Sequence, residues 1–315
     1  MVVNSNATPI RWTYAGTTIT TVDIQYSLDG ITNWTTIDSG VVVANGSTYI
    51  WPQVPGIKTT GAKIKVFDSF NPNVTNTSGS FNIVGDLRVL SPNGGENWKA
   101  GELKFVTWYS SQVSSVQPYY SLNNGTNWTE IGGPVSAGDG GVNWTISNNT
   151  QVSNNALFKV EDISNPGVVY DTSNGTFAVI GYLDITAPEN GVPVLAEDPY
   201  NITWNTKGTG MDNIVLQYRA NDNSSWINVK NASNSSETAP NLGYYLWPSV
   251  SGNVLSNYCK IRVYDPNNLN TSNEGVNYFP LRGSIQVGAP NGNEMWGVGT
   301  SQNITWTKKG NISSV

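Results

Sequence analysis

The feature that most constrains this chain is an internal repeat. Tryptophans recur in "PIRWTYAG", "FVTWYSS", "NITWNTKG" and "NITWTKKG" as Trp12, Trp108, Trp204 and Trp306, at spacings of 96, 96 and 102 residues. A second series follows in "YIWPQVPG", "VNWTIS" and "YLWPSVSG" (Trp51, Trp144, Trp247), and a third comprises Trp34, Trp128 and Trp226. Units close on "KIKVFDSFNPNVTNTSGSFNIVG", "FKVEDISNPGVVYDTSNGTFAVIG" and "KIRVYDPNNLNTSNEGVNYFPLRG", and new ones open on "LRVLSPNGGENW", "LDITAPENGVPV" and "IQVGAPNGNEMW". Repeats of this length are each large enough to bury a core of their own.

Within a unit the apolar residues alternate with a period of two. Ala62, Ile64 and Val66 alternate with Lys63 and Lys65; Ala156, Phe158 and Val160 with Leu157 and Lys159; Cys259, Ile261 and Val263 with Lys260 and Arg262. One apolar and one mostly charged face describe a half-buried antiparallel strand. About seven short strands per unit, separated by Gly, Pro, Asn and Ser clusters, predict an all-β chain of tandem immunoglobulin-like β-sandwich domains. The boundaries fall at Gly85-Asp86, Gly181-Tyr182 and Gly283-Ser284. They divide the chain into 1–85, a repeat lacking its first strand; 86–181 and 182–283, complete repeats; and 284–315, the first strands of a fourth. Joints this short predict an end-to-end rod.

A sandwich without an edge strand exposes unpaired backbone groups and invites strand addition. Two explanations follow. The 315 residues are a window of a longer tandem protein, or the segment 284–315 completes the first domain of a neighbouring copy and builds a homopolymer. Complementation needs only the opening strand, so the duplicated Trp306 strand favours the window.

Composition excludes several functions. Histidine is absent, which removes the commonest general base and the usual metal ligand. The single cysteine, Cys259, excludes an internal disulfide framework and a multi-thiolate zinc site. A net charge of −6 argues against nucleic acid, which needs clustered cations. No apolar run approaches the ~18 residues of a membrane helix, and "MVVNSNATPI" is too short and too polar for a secretory signal. Low charge with abundant Asn, Ser and Thr suits an extracellular, cell-surface protein. Seventeen Asn-x-Ser/Thr sequons occur. Among them are Asn33, Asn76, Asn124, Asn127, Asn143, Asn174, Asn201, Asn270 and Asn303, candidates for N-glycosylation or for turn chemistry alone.

The stretches "YSLDGITNW" (Tyr26 to Trp34) and "YSLNNGTNW" (Tyr120 to Trp128) resemble the Asp-box hairpin of sialidases, with a worn copy in "YRANDNSSW". Asp-boxes are structural and remote from catalysis in the proteins that they resemble. Asn124-Gly125 tolerates left-handed backbone, so the stretch reads as a hairpin turn, with Trp128 folded over it or into the core. The ordered set "SPNGGENWKAGE", "FVTWYSS", "YSLNNGTNW", "VNWTIS" and "FKVEDISNPGVVYDTSNGTFAV" is similar to the serine/threonine-rich, GPI-anchored membrane family domain. That module is similar to the N-terminal domain of yeast cell-wall β-1,6-glucan assembly proteins, and in bacteria and archaea it looks like a repeated, immunoglobulin-like piece of large surface proteins. The resemblance is strongest over 87–181 and implies fold and location, with no catalytic residue to transfer. The third unit departs from it, with Val194 where Trp98 and Trp296 stand.

Three kinds of residue are candidates for chemistry. Trp98 and Trp296 lie in Gly/Asn-rich loops and are the candidate glycan-contact aromatics of a carbohydrate-binding module; packing at a strand edge is the alternative. Asp68, Asp162 and Asp265 end the same strand in each unit, to accept backbone N–H groups of the next turn or, with Asp86 or Asp171, to ligate calcium at domain joints. Cys259 takes the place of Ala62 and Ala156 and reads as an inert buried thiol. No recurring carboxylate dyad suggests a glycosidase. The expectation is a non-enzymatic structural repeat of an extracellular filament, stalk, sheath or adhesin, whose partners are itself and surface glycans.

Overall fold

The structure, a computed structural model, describes residues 1–3, 5, 8–43, 47–229 and 238–315. Among the described residues the regular structure is β-strand, with one 3-10 turn at Ala137–Asp139. The chain divides into two compact units, residues 1–96, 105–144 and 155–177 in one, and 97–104, 145–154 and 178–315 in the other. This division runs through the second repeat.

The third repeat lies wholly in the second unit. Its smaller sheet orders the opening strand Tyr182–Ala187, the Trp strand Tyr200–Lys207 and Tyr244–Trp247. Its larger sheet orders Val194–Leu195, Phe279–Arg282, Ser256–Asp265, Asn213–Arg219 and Ile227–Asn228. Thr238–Pro240 also pairs with Asn213–Arg219, and Asn268–Glu274 with Ser256–Asp265. One pairing is parallel, Val194 beside Leu281. The inward faces share one core that includes Leu183, Ile202, Trp204, Leu216, Ile261, Val263 and Phe279. In Ser256–Asp265 the buried residues are Cys259, Ile261, Val263 and Asp265, the alternation read from the sequence. The tandem immunoglobulin-like β-sandwich follows from these sheets.

The same pairings recur in the other repeats. In the first unit residues 86–91 pair with 107–111, in the strand Leu103–Ser111, and residues 116–121 with 157–162, in the strand Ser153–Asp162. In the second unit Val179 lies beside Trp98 in a parallel pair. The first repeat has Thr21–Ser27 between Trp34–Val42 and Thr59–Asp68, and Thr8–Arg11 beside Thr48–Trp51. Among the described residues that smaller sheet has two strands, and a cleft of about 430 Å³ beside it is lined by Ile10, Trp12, Ile64, Val66, Asn76 and Phe81 among others.

Each core is pinned by aromatic contacts between sheets. Tyr26 meets Trp51 at 5.2 Å between ring centroids, Tyr120 meets Trp144 at 4.8 Å and Tyr218 meets Trp247 at 4.8 Å. Trp108 and Trp204 are 2% and 3% exposed, and their indole N–H groups donate to Ala137 O at 3.0 Å and Asn241 Oδ1 at 2.8 Å. Trp306, in the same motif as Trp204, is 47% exposed, because among the described residues Ser284–Ala289 and Thr305–Lys309 pair only with each other. Burying a tryptophan removes about 200 Å² from water, worth roughly 5 kcal/mol gross. Trp247→Ala is therefore expected to cost about 3–5 kcal/mol. Trp296→Ala, at an exposed position, is expected to cost within about 0.5 kcal/mol. Urea unfolding of both variants checks the contrast.

Candidate functional site

The Asp-box hairpin is the motif that brings most polar groups together. In the first copy the Ser27 hydroxyl donates to Asp29 Oδ1 at 2.6 Å and accepts from Gly30 N–H at 2.9 Å. Asp29 Oδ1 also accepts the N–H groups of Ile31 at 2.9 Å and Thr32 at 3.0 Å, while the Thr32 hydroxyl donates to Oδ2. These donors, Ser27 first and then Thr32 and the two backbone groups, hold the Asp29 carboxyl far below the ordinary carboxylate range. Such a carboxylate is spent on holding the turn. In the second copy a neutral amide does the same: Asn123 Oδ1 accepts from the Ser121 hydroxyl and from Asn127 N–H, both at 2.9 Å. The turn needs an acceptor there and tolerates loss of the charge. Asn124 and Gly125 both adopt positive φ, as expected of the turn.

The hairpin tryptophans lie on the polar side of the larger sheet, half-buried and each beneath a cation. Lys65 Nζ stands 4.5 Å from the Trp34 ring centre, and Lys159 Nζ 5.2 Å from that of Trp128. Trp226 has Arg219 at 4.6 Å and Arg262 at 4.5 Å. Trp128 also folds back over its hairpin, so that a Cβ on Gly125 would lie 3.4 Å from the ring. Stacked cations of this kind stabilise by about 0.5–1 kcal/mol at exposed sites. The signal was present in the alternation, since Lys65, Lys159 and Arg262 hold one register, but the contact joins strands distant in sequence. In the third copy Arg219 replaces the motif serine and pairs with Asp222 and Glu274, each at 2.7 Å.

Asp68, Asp162 and Asp265 are buried at the ends of their strands and accept N–H from the residue two positions on. The distances are 3.0 Å from Phe70, 2.9 Å from Ser164 and 2.9 Å from Asn267. This is the turn role. Of the further carboxylates proposed as calcium ligands, Asp86 is paired with Arg88 at 2.5 Å, and Asp171 accepts Val89 N–H at 2.7 Å. Among the described residues no group of three or more acidic, His or Cys side chains could hold a metal ion. Burial pushes the Cys259 thiol up, and the residue is fully enclosed where Ala62 and Ala156 stand in the other repeats.

The placement of Trp98 also needs correction. It lies in the strand Asn97–Lys99 rather than in a loop and is only 8% exposed. Val194, at the same position in the third repeat, is fully buried; that apolar replacement was the sequence sign of a packing position. Trp296 is 43% exposed, in a turn where Glu294 accepts the N–H groups of Asn291 at 2.6 Å and Gly292 at 2.7 Å. Glu96 holds the matching turn through Asn93 and Gly94, both at 2.8 Å.

All nine candidate glycosylation asparagines, Asn33, Asn76, Asn124, Asn127, Asn143, Asn174, Asn201, Asn270 and Asn303, are exposed. The Asn270 side-chain N–H donates to Asn97 Oδ1 at 3.3 Å. Asn76 sits opposite Val66, as Asp171 sits opposite Val160 and Asn273 opposite Val263. Asp171 and Asn273 accept a backbone N–H of the opening strand, the latter from Ile185 at 3.1 Å.

No protein-family model matches the sequence, and no curated protein matches it. Among solved structures, the chain is similar to the fibronectin(III)-like modules of Clostridium thermocellum CbhA, with 15% identity, 62% of this chain and 92% of that one covered, and a TM-score of 0.22. The FN1–FN3 domains of chicken CNTN1 match with 12% identity, 88% and 92% covered, and a TM-score of 0.24. An I-band fragment of titin matches with 9% identity, 89% and 94% covered, and a TM-score of 0.29. The resemblance to the GPI-anchored family has no counterpart among these matches. The class, tandem immunoglobulin-like domains, rests on the sheets themselves.

The sign of the Asp29 shift gives a test. A carboxylate with a depressed folded pKa adds stability above its unfolded value, about 3.9, and that stability fades as pH falls toward the folded value. NMR titration is expected to find Asp29 still ionised at about pH 3, below that ordinary range. Ser27→Ala is expected to return its midpoint upward.

Proposed function

We propose that this chain is a non-enzymatic structural repeat protein of the cell surface, part of an extracellular filament, stalk, sheath or adhesin. The observation that carries the reading is the recurrence of one sandwich in which closing and opening strands are separated by a single glycine, Gly181 or Gly283. Such joints favour repeats used for length and spacing. The exposed sequons suit glycan cover, and no helix among the described residues is long and apolar enough to cross a membrane. Strand complementation is the finer part of the proposal: the cleft beside Thr8–Arg11 offers Asn76 where Asp171 and Asn273 hold opening strands elsewhere.

Immunogold electron microscopy of source cells is expected to place the chain on the outer surface in extended assemblies. Label confined to the cell interior would reject the reading. A glycan array on which binding disappears with Trp296→Ala would replace it by the carbohydrate-binding alternative.

A further inference from the structure

Two of the joints between repeats are built alike. In the second unit, the turn after the Trp strand Tyr200–Lys207 passes through Gly208 at φ +93°. Gly208 N–H donates to Asn148 O at 2.6 Å, Thr209 N–H to Thr150 O at 3.1 Å, and Val152 N–H returns to Thr209 O at 2.9 Å. A side chain at its centre would crowd its neighbours. A Cβ on Gly208 would lie 3.1 Å from Val152 and 3.4 Å from Ala100, and one on Gly181 would lie 2.1 Å from the Met211 sulfur.

The turn after Thr305–Lys309 repeats the arrangement against the third repeat. Gly310 has φ +80°, Asn311 N–H donates to Gly252 O at 2.8 Å, and Gly310 N–H donates to Glu197 Oε1 at 2.8 Å. A Cβ on Gly310 would lie 3.0 Å from Ala196, the counterpart of Ala100. Lys309 adds an ion pair with Asp198. The turn after Leu103–Ser111 differs. Gln112 holds the glycine position at φ +58°, and among the described residues no backbone hydrogen bond ties this turn to the first repeat.

We propose that the glycine turn following the Trp strand is a docking element, and that its partner is the end loop of the repeat before it. The surface recognised is residues 148–152 with Ala100 in one case, and Gly252 with Ala196 and Glu197 in the other. Backbone groups supply the bonds, so recognition tolerates sequence change in the loops but requires a left-handed residue without Cβ in the turn. Gly208 and Gly310 clasp the preceding repeat by hydrogen bonds; the Gln112 turn packs close to Gly85 but makes no such backbone bond among the described residues. The inference stands independently of where the protein resides.

Native-state hydrogen exchange on the full chain tests it. The amides of Thr209, Val152 and Asn311 are expected to be protected, and that of Val113 to exchange as an open loop. Gly208→Val is expected to reduce protection at Thr209 and Val152 by at least about tenfold, with Asn311 and the amides of Ser256–Asp265 unchanged. Unprotected Thr209 and Val152 in the unaltered chain, or full protection in Gly208→Val, would overturn the proposal. If Gly208→Val unfolds the third repeat, Gly310→Val decides: loss at Asn311 alone supports docking, and retained protection there rejects it.

Discussion

The structure depends on one contact made three times, a tyrosine from the hairpin strand against a tryptophan from the smaller sheet. Each sheet has one apolar face that cannot remain in water, and this ring pair is where the two faces meet. With Tyr120 and Trp144 in place, inward positions before and after them fall into register, because side chains alternate along a strand. Polar features then decorate a frame already decided by burial.

The alternation in the strands ending at Asp68, Asp162 and Asp265 made the fold legible in the sequence, because a period of two is local. So was the hairpin, whose Ser, Asn and Gly act within a few residues of one another. What was hidden depends on partners far apart in the chain. Trp98 looked like a loop residue because its strand is three residues long and finds its parallel neighbour about eighty residues later. The cations over Trp34, Trp128 and Trp226 were visible only as charge on one face, since nothing local says which ring a lysine or arginine will cover. Trp306 is likewise exposed because, among the described residues, no other sheet faces its two strands, although its motif is the same as that of the buried Trp204.

The hairpin separates geometry from chemistry. Asp29 and Asn123 do the same work with and without a charge, so the first copy's ionised group reflects hydrogen-bond supply rather than a reacting centre. The exposed asparagines raise a related distinction. Asn76 shares its register with Asp171 and Asn273, so one position carries a sequon in one repeat and a strand-holding acceptor in two others.

Val194–Leu195 lies soon after the opening strand and runs beside the closing strand Phe279–Arg282, as Asn97–Lys99 does beside Phe177–Ile180. Tension applied along the chain therefore pulls the two strands of each pair in opposite senses along their own axes. Their hydrogen bonds are loaded together, in shear, and must yield as a group instead of opening one at a time. A domain that is only marginally stable at equilibrium thus gains resistance to stretching from its topology, without any added contact.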